Sequence, residues 1–253
     1  MIAPVLEFDA VSKAFGGFRA VADMSVSLGK GEILAIIGPN GAGKSTLLNL
    51  GSGALAPTSG DVRHDGNSIA GQAAHRLVHR GIARSFQITS IFPGMDVAEN
   101  VRIALMARRG YCRQFLWPAH RLLNDEIEAL LAQVRMAEAR NRLAGELAAG
   151  DRKRLEFAIA LAGSPSVILL DEPTAGMSAD ERALVVEVLK ELNERLGLSI
   201  LFTEHDIDMV FALAQRIVVM HQGELIAEGT PQQVRADPRV REVYLGKGHR
   251  AEM

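Results

Sequence analysis

Residues 33–46 read ILAIIGPNGAGKST. Ile33 to Ile37 is an unbroken run of apolar, mostly branched residues, the pattern of a short strand buried on both faces. It runs directly into Gly38 to Ser45, which matches the phosphate-loop spacing of Gly, four residues, then Gly-Lys-Ser. Leu47, Leu48 and Leu50 beyond it read as the start of a helix. In Gly38, Pro39, Asn40, Gly41, Ala42 and Gly43, the three glycines allow backbone conformations and close approach that a Cβ opposes, so successive N–H groups turn inward on phosphate oxygens. The helix N-terminus adds its positive dipole end. Lys44 supplies a point charge between the β- and γ-phosphates of a nucleoside triphosphate, and Ser45, with Thr46 beside it, supplies a hydroxyl for Mg²⁺.

A second site complements this loop. Ser166 to Pro173 reads SVILLDEP, an apolar strand ending in two carboxylates, where a doubly wound sheet presents functional residues. Asp171 is placed to hold Mg²⁺ through water, and Glu172 to polarise the water that attacks the γ-phosphate. Read alone, the same pair is an ordinary turn before Pro173. Beside the phosphate loop it is the second half of a hydrolytic site.

Short apolar runs alternate with amphipathic stretches along the chain, the pattern of an α/β protein with a mainly parallel sheet. Val167 to Leu170 and Ser199 to Phe202 read as buried strands joined by a helix over ADERALVVEVLKELNERLG, a βαβ unit. RIVVMHQGELIAEG reads as a hairpin with His221, Gln222 and Gly223 between its strands. Residues from about 91 to 162 are rich in Ala, Leu, Arg and Glu and are expected to form a mostly helical subdomain within a single domain spanning 1–253. Arg108, Arg109, Arg113 and Arg121 lie there, interleaved with Tyr111, Phe115 and Trp117, and read as a solvated helical face with packed aromatics rather than a nucleic-acid surface.

Composition narrows the class. The 253 residues carry 28 Lys plus Arg and 30 Asp plus Glu, a formal charge of −2, so nucleic acid is not an expected partner. At 48% hydrophobic residues the chain can bury a sizeable core and is not expected to be disordered. Cys112 is the one cysteine, which excludes an internal disulfide and suits a reducing compartment. The opening MIAPVLEFDAV lacks the basic and long apolar regions of a secretory signal, and no apolar run approaches the roughly 18 residues of a membrane span.

The order of these motifs resembles the ATP-binding-cassette (ABC) ATPases over nearly the whole chain. The resemblance places Phe15, in SKAFGG, where an aromatic stacks on adenine, and Gln87, in RSFQ, at the Q-loop glutamine that touches Mg²⁺ and senses the transport partner. It places His205, in FTEHD, at the switch histidine near the γ-phosphate, and Ala175 to Ser178 at the loop facing a second cassette. Singly, Phe15 also reads as core packing, Gln87 as a surface loop residue and His205 as a satisfied strand-end histidine; their order around two strong motifs carries the resemblance. Leu147 to Asp151 reads LAAGD where the family signature reads LSGGQ. Gly150 keeps an N–H for the ATP of a partner subunit, whereas Ala148 lacks the serine hydroxyl.

The implied fold is α/β, a P-loop NTPase core with an antiparallel β subdomain and an inserted helical subdomain. FQITSIFPGMDVAENV, GDRKRLEFAIAL, LLDEPTAGMSADE and DPRVREVYLG look like ATP-binding subunits of branched-chain amino-acid uptake transporters, with relatives for urea or short amides similar. The resemblance therefore implies ATP and Mg²⁺ as ligands and ATP hydrolysis coupled to import. It also implies a second, possibly non-identical cassette, integral-membrane permeases, an indirectly engaged solute-binding protein, and a cytoplasmic position on the inner face of the cell membrane. An exporter cassette shares the catalytic motifs. A non-transport ABC ATPase fits less well, because those usually carry two cassettes or long coiled coils and this sequence has one P-loop.

Overall fold

A computed structural model describes residues 4–85, 91–110 and 123–242. β1 (Pro4–Phe15) and β2 (Phe18–Gly29) form a long hairpin, and β3 (Ile33–Ile37) leads through the phosphate loop into α1 (Lys44–Gly51). β4 (Ser59–His64), β5 (Asn67–Ser68), α2 (Ala74–His79) and β6 (Ile82–Ser85) follow. Between β6 and β7 (Val167–Asp171) lie α3 (Val97–Arg109), α4 (Asn124–Gln133) and α5 (Ala149–Leu161). After β7 come α6 (Ala179–Leu196), β8 (Ser199–Thr203), α7 (Ile207–Leu213), β9 (Arg216–His221), β10 (Glu224–Gly229), α8 (Pro231–Ala236) and α9 (Pro238–Val240).

Among the described residues the strands divide into an antiparallel sheet, β2-β1-β4-β5, and a six-stranded sheet, β10-β9-β3-β8-β7-β6, in which β9–β10 is antiparallel and the other pairs are parallel. Every residue of β3, β7 and β8 is buried, which explains their unbroken apolar runs. Alternate residues serve two different cores. Ile33, Ala35 and Ile37 of β3 pack with Val101, Leu131 and Phe157 on the helical side, while Leu34 and Ile36 pack with Leu6, Phe8 and Leu47 on the side of the antiparallel sheet. Each of these side chains except that of Ala35 contributes roughly 1.5–3 kcal/mol by leaving water. The central strands are therefore packed on both faces.

Helix boundaries follow local chemistry. Ser178 caps α6 in a reciprocal box with Glu181, and Gly197 ends it in a left-handed conformation at φ 64°. Asp96 caps α3 by accepting the Glu99 N–H, and Gly110 ends it at φ 70°. At the β9–β10 hairpin the turn is the two residues Gln222 and Gly223, both at positive φ, so His221 closes β9 opposite Glu224 rather than joining the turn. Arg108 donates to the Ala162 carbonyl and Ser164 hydroxyl, and Arg109 pairs with Glu126, so both are engaged within the chain. Tyr111, Cys112, Arg113, Phe115, Trp117 and Arg121 lie outside the described residues.

Candidate nucleotide-binding site

Three parallel neighbours, β3, β8 and β7, end side by side and deliver Gly38, His205 and Asp171 to one edge of the sheet. This is where an open α/β sheet binds ligands, beyond the carboxyl ends of its strands. The phosphate loop is held there by its surroundings. A Cβ on Gly38 would stand 2.2 Å from the Met220 carbonyl oxygen, and one on Gly43 would stand 2.3 Å from that of Ala20. At these two positions both a positive φ and close backbone approach demand glycine. Gly41 differs from the expectation. Its φ of +80° favours glycine, but a Cβ would meet nothing within 4 Å, so conformation alone selects it.

Lys44 is 7% exposed, and its Nζ donates to the carbonyls of Gly38 at 2.8 Å and Pro39 at 3.1 Å. Burial lowers its pKa from the ordinary lysine value, against the opposing charges of Glu172 and Asp171. Asp171, almost wholly buried, accepts on Oδ1 from Thr203 Oγ1 at 2.7 Å and Ser45 Oγ at 3.2 Å. Arg84 Nη2 lies 3.7 Å from Asp171 Oδ2, while Nη1 donates to Asn49 and Ser52, tying β6, α1 and β7 together. Glu172 follows at φ 47°, left-handed for a residue with a Cβ, with its N–H donated to the Thr203 carbonyl at 3.0 Å. His205, 63% exposed at its side chain, places Nδ1 3.8 Å from Glu172 Oε2.

Ser45 and Asp171 offer hard oxygen atoms beside the phosphate loop, which fits Mg²⁺, a cation that takes one or two protein ligands and completes its shell with phosphate and water. Among the described residues no group of three or more His, Cys, Asp or Glu forms a closed metal cage.

Other predicted residues are held by different contacts. Phe15 ends β1 opposite Phe18, half exposed, with Lys13 Nζ 5.3 Å from its ring centroid. Gly150 lies in the first turn of α5, where its N–H donates to Glu181 Oε1 at 3.1 Å, and Ala148 caps that helix without any side-chain hydrogen bond. A cavity of about 260 Å³ lies between α5 and the Asp171–Glu172 strand end, lined by Lys153, Glu156 and Met177 among others. Gln87 lies outside the described residues.

The ABC transporter family model matches residues 21–175, more than half of the chain. The chain belongs to that family. A second model, of the branched-chain amino acid ATP-binding cassette transporter, matches residues 224–250 of the cassette. The high-affinity branched-chain amino acid transport ATP-binding protein BraF of Pseudomonas aeruginosa is 35% identical, over 98% of this chain and 100% of that protein. LivG of Escherichia coli, named for the same transport, is 34% identical with the same coverage. The lipopolysaccharide export system ATP-binding protein LptB of Haemophilus influenzae is 32% identical over 96% of this chain and 98% of that protein.

Among solved structures, an ATP-binding cassette of an ABC transporter in its ADP conformation superposes with a TM-score of 0.85 at 31% identity, over 97% of this chain and 100% of that one. A dimeric bacterial ABC transporter cassette gives a TM-score of 0.74 at 26% identity, over 89% and 98%. The cassette is accordingly an ATP hydrolase of the ABC type. No described helix is long and apolar enough to cross a membrane. Two residues central to the site's geometry were not singled out by sequence reasoning, Arg84 and Glu204. Arg84 had one available signal, its place three residues before Gln87.

Proposed function

We propose that the cassette is the ATP-hydrolysing motor subunit of an importer for branched-chain amino acids or a related small solute such as urea or a short amide. The convergence of Lys44, Ser45, Asp171 and Glu172 at adjacent strand ends supports the hydrolytic half of this reading. Similarity to BraF and LivG, together with the match over residues 224–250, supports import over export.

In this reading the N–H groups of residues 40–45 cradle the triphosphate, Lys44 neutralises its β- and γ-oxygens, and Phe15 stacks on adenine. Mg²⁺ would be held by Ser45, Asp171 and Gln87 and would supply further charge neutralisation. Glu172 polarises the attacking water, and His205 orients the γ-phosphate region. Gly150 donates to ATP held by a second cassette, so two chains enclose two nucleotides. Binding of ATP closes the pair and hydrolysis lets it reopen.

The movement is passed to an integral-membrane permease, which in turn engages a solute-binding protein, and the cassette sits on the cytoplasmic face of the membrane. A groove of about 770 Å³ between α2, α3 and α5 fits the permease contact. Among the described residues its lining includes His75, His79, Arg80, Arg84 and Arg108 and no carboxylate, suiting an acidic cytoplasmic loop.

The deciding experiment combines Glu172→Gln with reconstitution. The variant is expected to trap ATP without steady turnover, and the native cassette, assembled with its permeases and loaded binding protein, to drive uptake of labelled leucine. Sustained hydrolysis by Glu172→Gln contradicts the role of Glu172; hydrolysis without leucine or amide uptake contradicts the substrate class.

A further inference from the structure

Glu204 stands between Thr203, the last residue of β8, and His205, and only 1% of it is exposed. Its Oε1 accepts from the Thr174 N–H at 3.0 Å and from the Thr174 hydroxyl at 2.6 Å. Its Oε2 accepts from the N–H groups of His205 at 3.0 Å and Asp206 at 3.5 Å. The two oxygens of one carboxylate are thus divided between two loops: the turn that follows Glu172 and the turn that carries His205.

The Glu172 turn needs such an anchor. Glu172 holds φ at 47°, a conformation that opposes a Cβ and persists only where neighbouring contacts over-determine it. Thr203 secures the residue from one side, through its carbonyl at 3.0 Å and its hydroxyl at 3.3 Å from the Glu172 nitrogen. On the other side Pro173 has no N–H to give, so the next donors along the chain are those of Thr174, and both go to Glu204. A carboxylate suits the position because it is acceptor-only and presents up to four lone-pair sites to these four converging donors. Glutamine has the same shape but turns an NH₂ toward one donor pair.

We propose that Glu204 is a positioning residue for ATP hydrolysis, holding Glu172 and His205 at a fixed separation across the γ-phosphate position. Its effect is on the geometry of attack, and the phosphate loop that binds ATP is built from other strands. Loss of Glu204 therefore lowers kcat and leaves KM for ATP nearly unchanged. This inference rests on the reading of Glu172 and His205 as the hydrolytic pair.

The test compares the full-length chain with Glu204→Gln, Thr174→Val, Thr174→Ser, the Glu204→Gln/Thr174→Val double variant and Glu172→Gln, measuring ATPase kinetics and fluorescent ATP-analogue affinity. Glu204→Gln is expected to lose about tenfold or more in kcat with KM and affinity within about twofold, as small misplacements of reacting groups do. Thr174→Val is expected to lose roughly fivefold, Thr174→Ser to keep native kcat because its hydroxyl remains, and the double variant to lose no more than about Glu204→Gln alone, since both act through one contact.

Native kcat in both Glu204→Gln and Thr174→Val, even with a lowered melting temperature, overturns the proposal and leaves Glu204 structural. A loss confined to KM overturns it too. If Glu204→Gln does not fold, equal kcat in Thr174→Val and Thr174→Ser is the overturning result. Glu172→Gln separates the layers: turnover retained there defeats the underlying reading, whereas turnover abolished there with kcat intact in the other variants defeats only the role of Glu204.

Discussion

The strand-end cluster and the N-terminus of α5 are both phosphate-facing regions in the proposed mechanism, and they are built differently. At the strand ends, Lys44, Ser45 and Asp171 are held by contacts within the chain before any ligand is considered. At α5, Ala148 offers no cap, and the Gly150 N–H is already taken by Glu181, whose Oε2 also accepts from Ser178. The hydrogen bonds from Ser178 and Gly150 hold the Glu181 carboxyl below the usual carboxylate range. In the proposed mechanism one region is a half-site held by its own contacts, and the other is a surface whose ligand would belong to a partner.

The largest effect should come from the strand ends. Lys44→Ala removes a buried ammonium, and nucleotide affinity measured by titration is expected to fall about a hundredfold or more. Because burial lowers the Lys44 pKa, the alkaline loss of native affinity is expected to begin below the range of a free lysine as the ammonium deprotonates. Affinity within a few-fold of native in Lys44→Ala would break the contrast, since the strand ends would then not hold the triphosphate.

The glycines sharpen it next. Gly43→Ala forces a Cβ against the Ala20 carbonyl at φ 100°, with an expected stability loss of about 3 kcal/mol or more in denaturant titration. Gly41→Ala meets open space at φ 80° and should lose only about 1–2 kcal/mol. Equal losses would mean that strain, not close packing of the two sheets, sets the loop.

How much of this was readable in the sequence depends on what buries each residue. β3, β7 and β8 are covered on both faces, so burial writes itself as ILAII, VILLD and SILFT, and the phosphate loop, the Asp171–Glu172 pair and the turn carrying His205 follow directly on those runs. The order β9-β3-β8-β7 was not readable, because crossover helices join strands without marking which neighbour each returns to. The glycine spacing could not separate Gly41 from Gly43, since the carbonyl that excludes a Cβ belongs to Ala20, on another sheet. Glu204 was hidden for a similar reason. A buried carboxylate satisfied by backbone donors and by Thr174, thirty residues earlier, leaves no periodic trace.

Ala148→Ser probes the N-terminus of α5 with two readouts. A serine there can cap α5, raising stability by about 1 kcal/mol in the isolated chain. If a partner's ATP is its true ligand, turnover of the assembled complex should also rise roughly tenfold to a hundredfold, the equivalent of one charge-assisted hydrogen bond of about 1.5–3 kcal/mol. Greater stability without faster turnover would leave α5 an ordinary helix end and sink the idea that Ala148 weakens one composite site.

The smallest expected effect on nucleotide binding lies at the opposite end of β3 from the phosphate loop, and it separates scaffold from site. Arg216 grips Glu32 with Nε to Oε1 at 2.6 Å and Nη2 to Oε2 at 2.8 Å, and the same guanidinium reaches the Ser27 carbonyl at the end of β2. Burial pushes the Glu32 carboxyl up, but the Arg216 fork and the Gly29 N–H outweigh it and leave its pKa below the ordinary value. A carboxyl depressed on folding contributes stability that is full above its unfolded pKa and is lost as pH falls through its folded pKa. Glu32→Gln should therefore lose about 2 kcal/mol at neutral pH. The difference from the native chain should shrink only on acidification below the ordinary glutamate range. ATP affinity, measured alongside, should stay unchanged, because the ion pair orients Arg216 toward the Ser27 carbonyl of the other sheet and the buried length of β3 stands between it and Gly38. A parallel loss of affinity would show that the strand ends are not the self-sufficient half-site that their internal contacts describe.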